Sequence, residues 1–223
     1  MNPDFIGCDA GSTDAGPYYL ATGKTAFPLP SIKRDLRIMV KGGRQNNIPV
    51  LIGSCGTAGG DIQLRTMFGL LKEIVTEEGL SLRVALVHCE QDFEYLKAKL
   101  REGKVHPLDN PPKFDEAVID GSEHIVGMAG AEPFQEALEG GADVVLCGRA
   151  SDTAIFASRA MMLGAPEGPS WHAAKILECG NAAATQRKTP DCMMAIIRED
   201  HFDIFAGDPE IRCTPQSIAS HSL

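Results

Sequence analysis

Short apolar runs alternate with amphipathic stretches along most of this chain. Runs of about four to eight apolar residues are typical of strands buried in a parallel sheet, whereas an apolar period of about 3.6 residues indicates a helix. The runs predict strands at 4–9, 50–52, 82–89, 119–127, 142–147 and 193–198. The amphipathic stretches predict helices at 31–45, 61–78, 93–101, 132–139, 152–163 and 172–179.

This alternation predicts an α/β fold. Strands that are separated by helices form right-handed βαβ units, and such units build a mostly parallel β-sheet flanked by helices. We therefore expect a Rossmann-like, doubly wound sheet. Residues 1–223 are expected to form a single domain with a Pro-rich loop or subdomain junction near 103–116 and a break near 164–170.

The C-terminal end predicts one more short helix. Thr214 and Pro215 are residue types preferred at the N-cap and at the first helical position, and about two turns remain before Leu223. We therefore expect the chain to be the N-terminal part of a longer protein, with a fold that is incomplete at its C-terminus.

The composition is that of a soluble globular protein, since 43% of the residues are hydrophobic and 23% are charged. The net charge of -9 argues against a nucleic-acid partner, because phosphate contacts need clustered Lys and Arg. One basic stretch, at 33–44, has helical spacing, which favours a solvated helix face.

Three further features predict a cytoplasmic protein without a membrane partner. The seven cysteines are odd in number and form no CxxC pair, which favours reduced thiols. The first residues lack the basic and apolar regions of a signal peptide. No apolar run approaches the roughly 20 residues that span a bilayer.

Three of the predicted strands end in loops of Gly, Ser, Thr and Asp, at 9–14, 53–61 and 148–153. The carboxyl ends of parallel strands meet at one edge of a sheet, and ligands bind there. Small residues leave backbone N–H groups open to an anion, and the following helix adds its positive end. The sequence therefore predicts one polar site at this edge.

The candidate residues of this site follow from their positions. Carboxylates at strand ends suit proton transfer, and the candidates are Asp9, Asp14 and Glu90. Arg149 leaves an apolar strand directly into its loop, where it either binds a carboxylate or phosphate or forms a salt bridge with Asp152. The residues expected to contact a substrate are Ser12, Thr13, Gly53, Ser54, Gly56, Thr57, Gly59, Gly60, Arg149, Ser151 and Asp152. No set of metal ligands is predicted.

Two of the loops leave alternatives open. The stretch Asp9-Ala10-Gly11-Ser12-Thr13 is similar to the phosphate turn of actin-like and sugar-kinase ATPases, and an ordinary strand-to-loop turn is the other interpretation. The loop at 53–61 has Cys55 at the second Gly position of GxGxxG and lacks the GK[ST] of a P-loop. This loop either binds an anion or is a purely geometric turn.

Four stretches resemble the acyclic terpene utilisation (AtuA-like) family. They are residues 4–20, residues 141–152, Leu177-Glu178-Cys179-Gly180 and Arg212-Cys213-Thr214-Pro215-Gln216-Ser217. The resemblance implies a cytoplasmic catabolic protein. It also implies a pathway that degrades branched, acyclic isoprenoid acids as coenzyme A thioesters.

The leading functional hypothesis is a catabolic enzyme of the hydratase, lyase or isomerase type that acts on a small carboxylate or a branched acyl-CoA. Arg149 and the loop at 53–60 would hold the anion, and coenzyme A would enter as part of the substrate. One alternative is a non-catalytic subunit or binding module of an acyl-CoA carboxylase-type complex. A second alternative is an Mg-ATP-dependent enzyme that uses the turn at 9–13. A homo-oligomer or a partner subunit is expected.

Overall fold

The computed structural model describes residues 2–185 and 191–222 of the chain. The strands within these residues are β1 (Ile6–Gly11), β2 (Val50–Thr57), β3 (Val84–Val87), β4 (Val144–Cys147), β5 (Ala184–Thr185), β6 (Met193–Ile197), β7 (Phe202–Ala206) and β8 (Arg212–Cys213). The helices within them are α1 (Tyr18–Thr22), α2 (Leu29–Asn46), α3 (Asp61–Glu77), α4 (Phe93–Arg101), α5 (Glu116–Asp120), α6 (Glu132–Glu139), α7 (Asp152–Met162), α8 (Glu167–Glu178) and α9 (Pro215–Ser222).

The first four strands form one parallel sheet in the order β1-β2-β4-β3. The register sets Leu51 beside Val145 and Leu86 beside Leu146. Two small antiparallel pairs, β5 with β8 and β6 with β7, follow towards the C-terminus. The predicted α/β class with a parallel sheet is confirmed.

Helices cover both faces of the sheet because successive strand side chains point to opposite sides. On one face Ile52 and Leu146 pack against residues of α2 and α3. On the other face Leu51 and Val145 pack with Phe134 of α6 and with residues of α7. This arrangement buries a continuous apolar core on each side, as expected for a doubly wound sheet.

The direction of winding changes between the two central strands. β2 is followed by α3 on one face, whereas its neighbour β4 is followed by α7 on the opposite face. The helices after β2 and β4 therefore leave the sheet on opposite faces, and open α/β sheets bind their ligands at such a change of direction. The fold thus places the candidate site between these two strand ends.

Two predicted elements are wrong in type or extent. Residues 119–127 do not form a strand: Asp115 accepts a hydrogen bond from the backbone of Val118 at 3.2 Å and begins the short helix α5, and Val126 makes only an isolated bridge to Glu90. A short apolar run fits a buried helix turn as well as a strand. The strand predicted at 50–52 continues to Thr57, so Gly53 and Ser54 lie within β2.

Other boundaries agree with the pattern or move by a few residues. Asp92 caps α4 by accepting a hydrogen bond from the backbone of Tyr95 at 2.7 Å. The break predicted near 164–170 is shorter, because α8 begins at Glu167. The loop at 103–116 connects α4 to α5, and its role as a lid or junction stays a prediction.

The basic stretch of α2 is used inside the fold. Lys33, Arg37 and Lys41 form ion pairs with the acidic residues of α3 and its C-cap, Glu73, Glu77 and Glu78. These pairs tie α2 to α3 along their shared surface, so this stretch is not a purely solvated face. In the part of the chain that the structure describes, no helix is both long and apolar enough to cross a membrane.

Candidate active site at the carboxyl edge of the sheet

Arg149 lies between the ends of β2 and β4, and only 4% of its surface is exposed. Its guanidinium donates to the hydroxyl of Ser54, to the carbonyl of Thr57 at 3.4 Å and to the carboxylate of Asp152 at 3.2 Å. A guanidinium with these partners holds the two strand ends together. The structure therefore favours the salt-bridge interpretation of Arg149 over direct binding of a substrate anion.

Close contacts explain two glycines, one within β2 and one in the loop that follows it. Gly59 has φ +73°, and a Cβ there would overlap the backbone of Gly148 and Arg149. Gly53 is also enclosed, because a Cβ would overlap the side chain of Ile155. These two glycines serve packing, which favours the geometric interpretation of this loop.

The N-terminus of α3 already holds an anion from this chain. The backbone N–H of Asp61 donates to Glu90 Oε2 at 2.9 Å, so the carboxylate of Glu90 occupies the positive end of the helix. The side chain of Asp61 turns away and pairs with His88 Nδ1 at 2.9 Å and with Arg65 at 3.3 Å. The residues Gly56, Gly59 and Gly60 thus lead to a helix end that Glu90 fills.

Three carboxyl groups converge at the carboxyl edge of the sheet. Asp9 comes from β1, Asp152 begins α7 and Glu178 ends α8, and one oxygen of each lies within 4.8 Å of the others. Asp9 is further fixed by accepting the backbone N–H of Gly11 at 3.3 Å. We call these three residues the carboxyl cluster.

The environment moves the pKa values of the cluster in different directions. Burial, together with the charge of Asp152, raises the pKa of Asp9 to about 7. Burial also raises the pKa of Asp152, although Arg149 works against this shift. For Glu178 burial acts upward as well, but hydrogen bonds from Cys179 and Lys175 outweigh it and hold the pKa below its ordinary value. The cluster therefore combines a carboxyl that keeps its proton near neutral pH with one that stays ionised.

The family model described as acyclic terpene utilisation family protein AtuA matches residues 30–185 of this chain. The chain belongs to the AtuA family. The family description implies involvement in acyclic terpene utilisation. The matched region contains Arg149, Asp152 and Glu178, whereas Asp9 lies before it. No curated protein and no solved structure matches the chain significantly.

The turn after β1 lies beside the carboxyl cluster in this AtuA-family chain. Ser12, Thr13 and Asp14 are exposed, and the hydroxyl of Ser12 accepts the backbone N–H of Asp14 at 3.1 Å. The charge of Asp14 contributes to the raised pKa of Asp152. β1 pairs in parallel with β2 and leads into α1, which differs from the antiparallel hairpin that contains the phosphate turn of actin-like ATPases.

Ser151 precedes α7 as its N-cap residue, but its side chain makes no capping hydrogen bond. Its hydroxyl lies 3.3 Å from that of Thr153. The residue type at this position predicts a side-chain cap, which α7 lacks.

Two residues of this edge were missed by the sequence analysis. Glu178 lies in the last turn of α8, where an acidic side chain opposes the helix dipole, and that conflict is a usable signal. His124 pairs with Glu90 from a segment predicted as a strand, and nothing in the local sequence marks it.

The carboxyl cluster is also the group that could hold a cation. Carboxylate oxygens are the ligands that Mg²⁺ and Ca²⁺ prefer, and three of them lie close enough to share one ion. Of the predicted proton-transfer residues, Asp9 belongs to the cluster, Asp14 lies beside it and Glu90 lies at the N-terminus of α3.

Proposed function

We propose that this chain catalyses a proton-transfer step of acyclic terpene utilisation: the hydration, elimination or isomerisation of a small carboxylate or a branched acyl-CoA thioester. The observation that carries the proposal is the convergence of Asp9, Asp152 and Glu178 at the carboxyl edge of the sheet. The substrate class rests on the family, and the reaction class rests on the chemistry of these carboxyl groups.

Reactions of this class need an acid and a base close together. A base removes a proton from carbon beside the carbonyl or from water, and an acid delivers a proton to the other reacting atom. Two carboxyl groups whose pKa values are pushed apart supply both roles at one pH. Asp9, with its raised pKa, would donate the proton, and Glu178, whose pKa is lowered, would accept one.

The anionic part of the substrate would meet groups other than the buried guanidinium of Arg149. Lys175 pairs with Glu178 and keeps 47% of its side chain exposed, so it can reach a carboxylate or phosphate. The exposed hydroxyls of Ser12 and Thr13 lie on the turn that follows β1 and would orient polar groups of the substrate. Coenzyme A would be bound only as part of the substrate.

The test uses 3-methylbut-2-enoyl-CoA, a small branched acyl-CoA, in heavy water. Mass spectrometry follows uptake of deuterium into the acyl group or addition of water to it. We expect turnover by the native chain and a loss of at least about 100-fold in Asp9→Asn, as is usual for removal of a general acid. Asp109→Asn, in the exposed loop at 103–116, is the matched control and should retain the native rate.

Two results, one from this assay and one from thermal unfolding with the same ligands, would count against the proposed enzyme. If the native chain neither exchanges nor hydrates the thioester or the corresponding free acid, the proposed reaction class is contradicted. If no ligand shifts a cooperative thermal transition, the result favours a binding module or subunit that needs a partner.

A second candidate is a reaction that depends on Mg²⁺ bound at the same cluster. The observation in its favour is that one oxygen of each of the three carboxyl groups lies within 4.8 Å of the other two. A bound cation would stabilise the folded chain by mass action and raise its thermal midpoint. This candidate predicts an Mg²⁺-dependent shift that Asp152→Asn and Glu178→Gln abolish. Unchanged midpoints in millimolar Mg²⁺ would contradict it.

A further inference from the structure

A pair of side chains outside the carboxyl cluster has the geometry of an acid–base site. His124 Nδ1 is hydrogen-bonded to Glu90 Oε1 beyond the end of β3. The other oxygen of Glu90 accepts the backbone N–H of Asp61 at 2.9 Å. Both side chains are only partly buried, with 18% of His124 and 23% of Glu90 exposed.

The backbone holds this pair in place independently of the side chains. Residues 125–127 run antiparallel to the chain after β3, with hydrogen bonds from Gln91 to Ile125 and from Gly127 to Cys89, both at 2.8 Å. Ala129 then exchanges hydrogen bonds with the chain after β4. Because these backbone contacts already fix the segment, the side-chain pair is not needed to attach it.

The partners of Glu90 define which nitrogen of His124 carries the hydrogen. A carboxylate oxygen accepts hydrogen bonds, so the contact with Glu90 assigns the hydrogen of the imidazole to Nδ1 and leaves Nε2 as the nitrogen with a free lone pair. Among the described residues Nε2 has no hydrogen-bond partner, and 18% of the His124 side chain is exposed.

We propose that His124 is a second acid–base residue of this chain and that Glu90 is its positioning residue. Nε2 would take a proton from, or return it to, a ligand with an acidic C–H beside a carbonyl, or a water molecule that adds to such a ligand. When the ligand itself loses the proton, the proton passes to Nε2 and returns to a carbon of the same ligand. When water adds, its oxygen bonds to the β-carbon of an α,β-unsaturated ligand, Nε2 takes a proton from it and returns a proton to the α-carbon, and this water is the only other reactant. The reaction assigned to this site rests on the proposed function, whereas the assignment of the open nitrogen does not.

The position of the pair relative to the carboxyl cluster supports this role. The turn of Gly59 and Gly60 contacts residues next to both groups: Gly59 packs on the backbone of Arg149, which pairs with Asp152 of the cluster, and a Cβ on Gly60 would lie 3.6 Å from Glu90 Oε2. Asp61 and His88 form a similar carboxylate–imidazole pair next to Glu90, but 51% of the His88 side chain is exposed.

The first test measures the tautomer of His124 by ¹⁵N NMR of the imidazole in the native chain. We expect the form with hydrogen on Nδ1. Glu90→Leu should shift His124 towards the form with hydrogen on Nε2, while Glu90→Gln, which keeps an acceptor oxygen, should retain the native form. His106, an exposed histidine of the loop at 103–116, is the internal reference. A native His124 with hydrogen on Nε2 would overturn the proposal.

The second test probes the open nitrogen with diethyl pyrocarbonate, which transfers its ethoxycarbonyl group to an unprotonated imidazole nitrogen. We expect modification of His124 at Nε2 at a rate comparable with that of His106. An unreactive His124 in the folded chain would show that Nε2 is closed to ligands and would contradict the proposal.

The thioester exchange assay separates the two proposals. His124→Gln should lower the exchange rate at least about 100-fold with little change in KM, whereas His106→Gln should leave the rate unchanged. If the native chain shows no exchange, the proposed function fails, and the tautomer and reactivity of His124 still decide whether it is an open acid–base group. Native exchange that persists in His124→Gln would overturn its catalytic role.

Discussion

The two groups of acidic residues at the carboxyl edge of the sheet differ in what surrounds their carboxylates. In the carboxyl cluster, Asp9 lies near Asp152 and Glu178 and is partly buried, so its pKa rises to about 7. At the N-terminus of α3 and after β3, Asp61 and Glu90 each bond to an imidazole.

This difference gives one edge of the sheet two kinds of carboxyl environment. A crowded carboxyl group keeps its proton because burial and like charges disfavour the ionised form. A carboxylate that accepts an imidazole N–H instead fixes the tautomer of the histidine. Arg149 pairs with Asp152 of the cluster, and Gly59 lets the loop after β2 approach the backbone of Arg149.

The largest expected effect on stability comes from removing the guanidinium of Arg149, between the ends of β2 and β4. Arg149→Met leaves the hydroxyl of Ser54, the carbonyl of Thr57 and the carboxylate of Asp152 without their donor. We expect the free energy of unfolding to fall by roughly 3 kcal/mol, measured by urea denaturation. The exposed Arg44→Met should change it by less than about 0.5 kcal/mol. A loss below about 1 kcal/mol for Arg149→Met would show that the guanidinium is free to serve a ligand.

A slightly smaller effect on stability is expected from a substitution that forces the loops after β2 and β4 apart. In Gly59→Ala the new methyl group overlaps the backbone of Arg149, and φ +73° is strained for alanine, so we expect a loss of about 2 to 3 kcal/mol. Gly69→Ala is the matched control, because a Cβ there meets nothing within 4 Å in helix α3. That substitution should stabilise the chain by about 0.5–1 kcal/mol, since alanine is the better helix former. Equal effects at both glycines would contradict close contact at Gly59.

The raised pKa of Asp9 predicts a pH-dependent effect. The folded state holds the proton more tightly than the unfolded state, so the stability that Asp9 contributes is present below about pH 4 and lost as the pH rises through about 7. Asp9→Asn removes this loss. Because Asp9 is only partly buried, solvent screens the effect, and we expect a gain of about 2 kcal/mol over the native chain at pH 8. Thermal unfolding at pH 4, 6 and 8 measures it, and a gain that does not grow with pH would contradict the shift.

The smallest effect is expected at the exposed pair. His88→Asn removes the partner of Asp61, but solvent reaches more than half of the imidazole, so the free energy of unfolding should change by less than about 1 kcal/mol. His106→Asn should leave the thermal midpoint unchanged within error. A loss well above 1 kcal/mol at His88 would mean that the two carboxylate–imidazole pairs act as one network.

The sheet and the location of the site follow from local sequence. The apolar runs of β2 and β4 and the small polar residues after them indicate buried strands that end in ligand loops, and Asp9, Arg149 and Asp152 all lie at this edge. The role of Arg149 depends on Ser54 and Thr57, which are about ninety residues earlier in the chain, so its own sequence neighbourhood left two interpretations open.

The partners of the site depend on tertiary contacts that no local pattern encodes. Glu178 lies near Asp9 only because α8 packs on α7, which brings the last turn of α8 to the carboxyl edge of the sheet. His124 reaches Glu90 because backbone hydrogen bonds beyond the sheet align two irregular segments. Hydrophobic periodicity describes which face of an element is buried, but it does not specify which distant polar residue the buried edge meets.

The role of the carboxyl cluster is tested most directly by the pKa of the Asp9 carboxyl group, measured by ¹³C NMR of the side-chain carboxyl carbons across pH 3 to 9 and assigned with Asp9→Asn. We expect ionisation at about pH 7 in the native chain. We also expect a lower value in Asp152→Asn, where one neighbouring charge is removed. An Asp9 that ionises in the ordinary range of an exposed aspartate, in the native chain and in Asp152→Asn alike, would contradict the role of the carboxyl cluster.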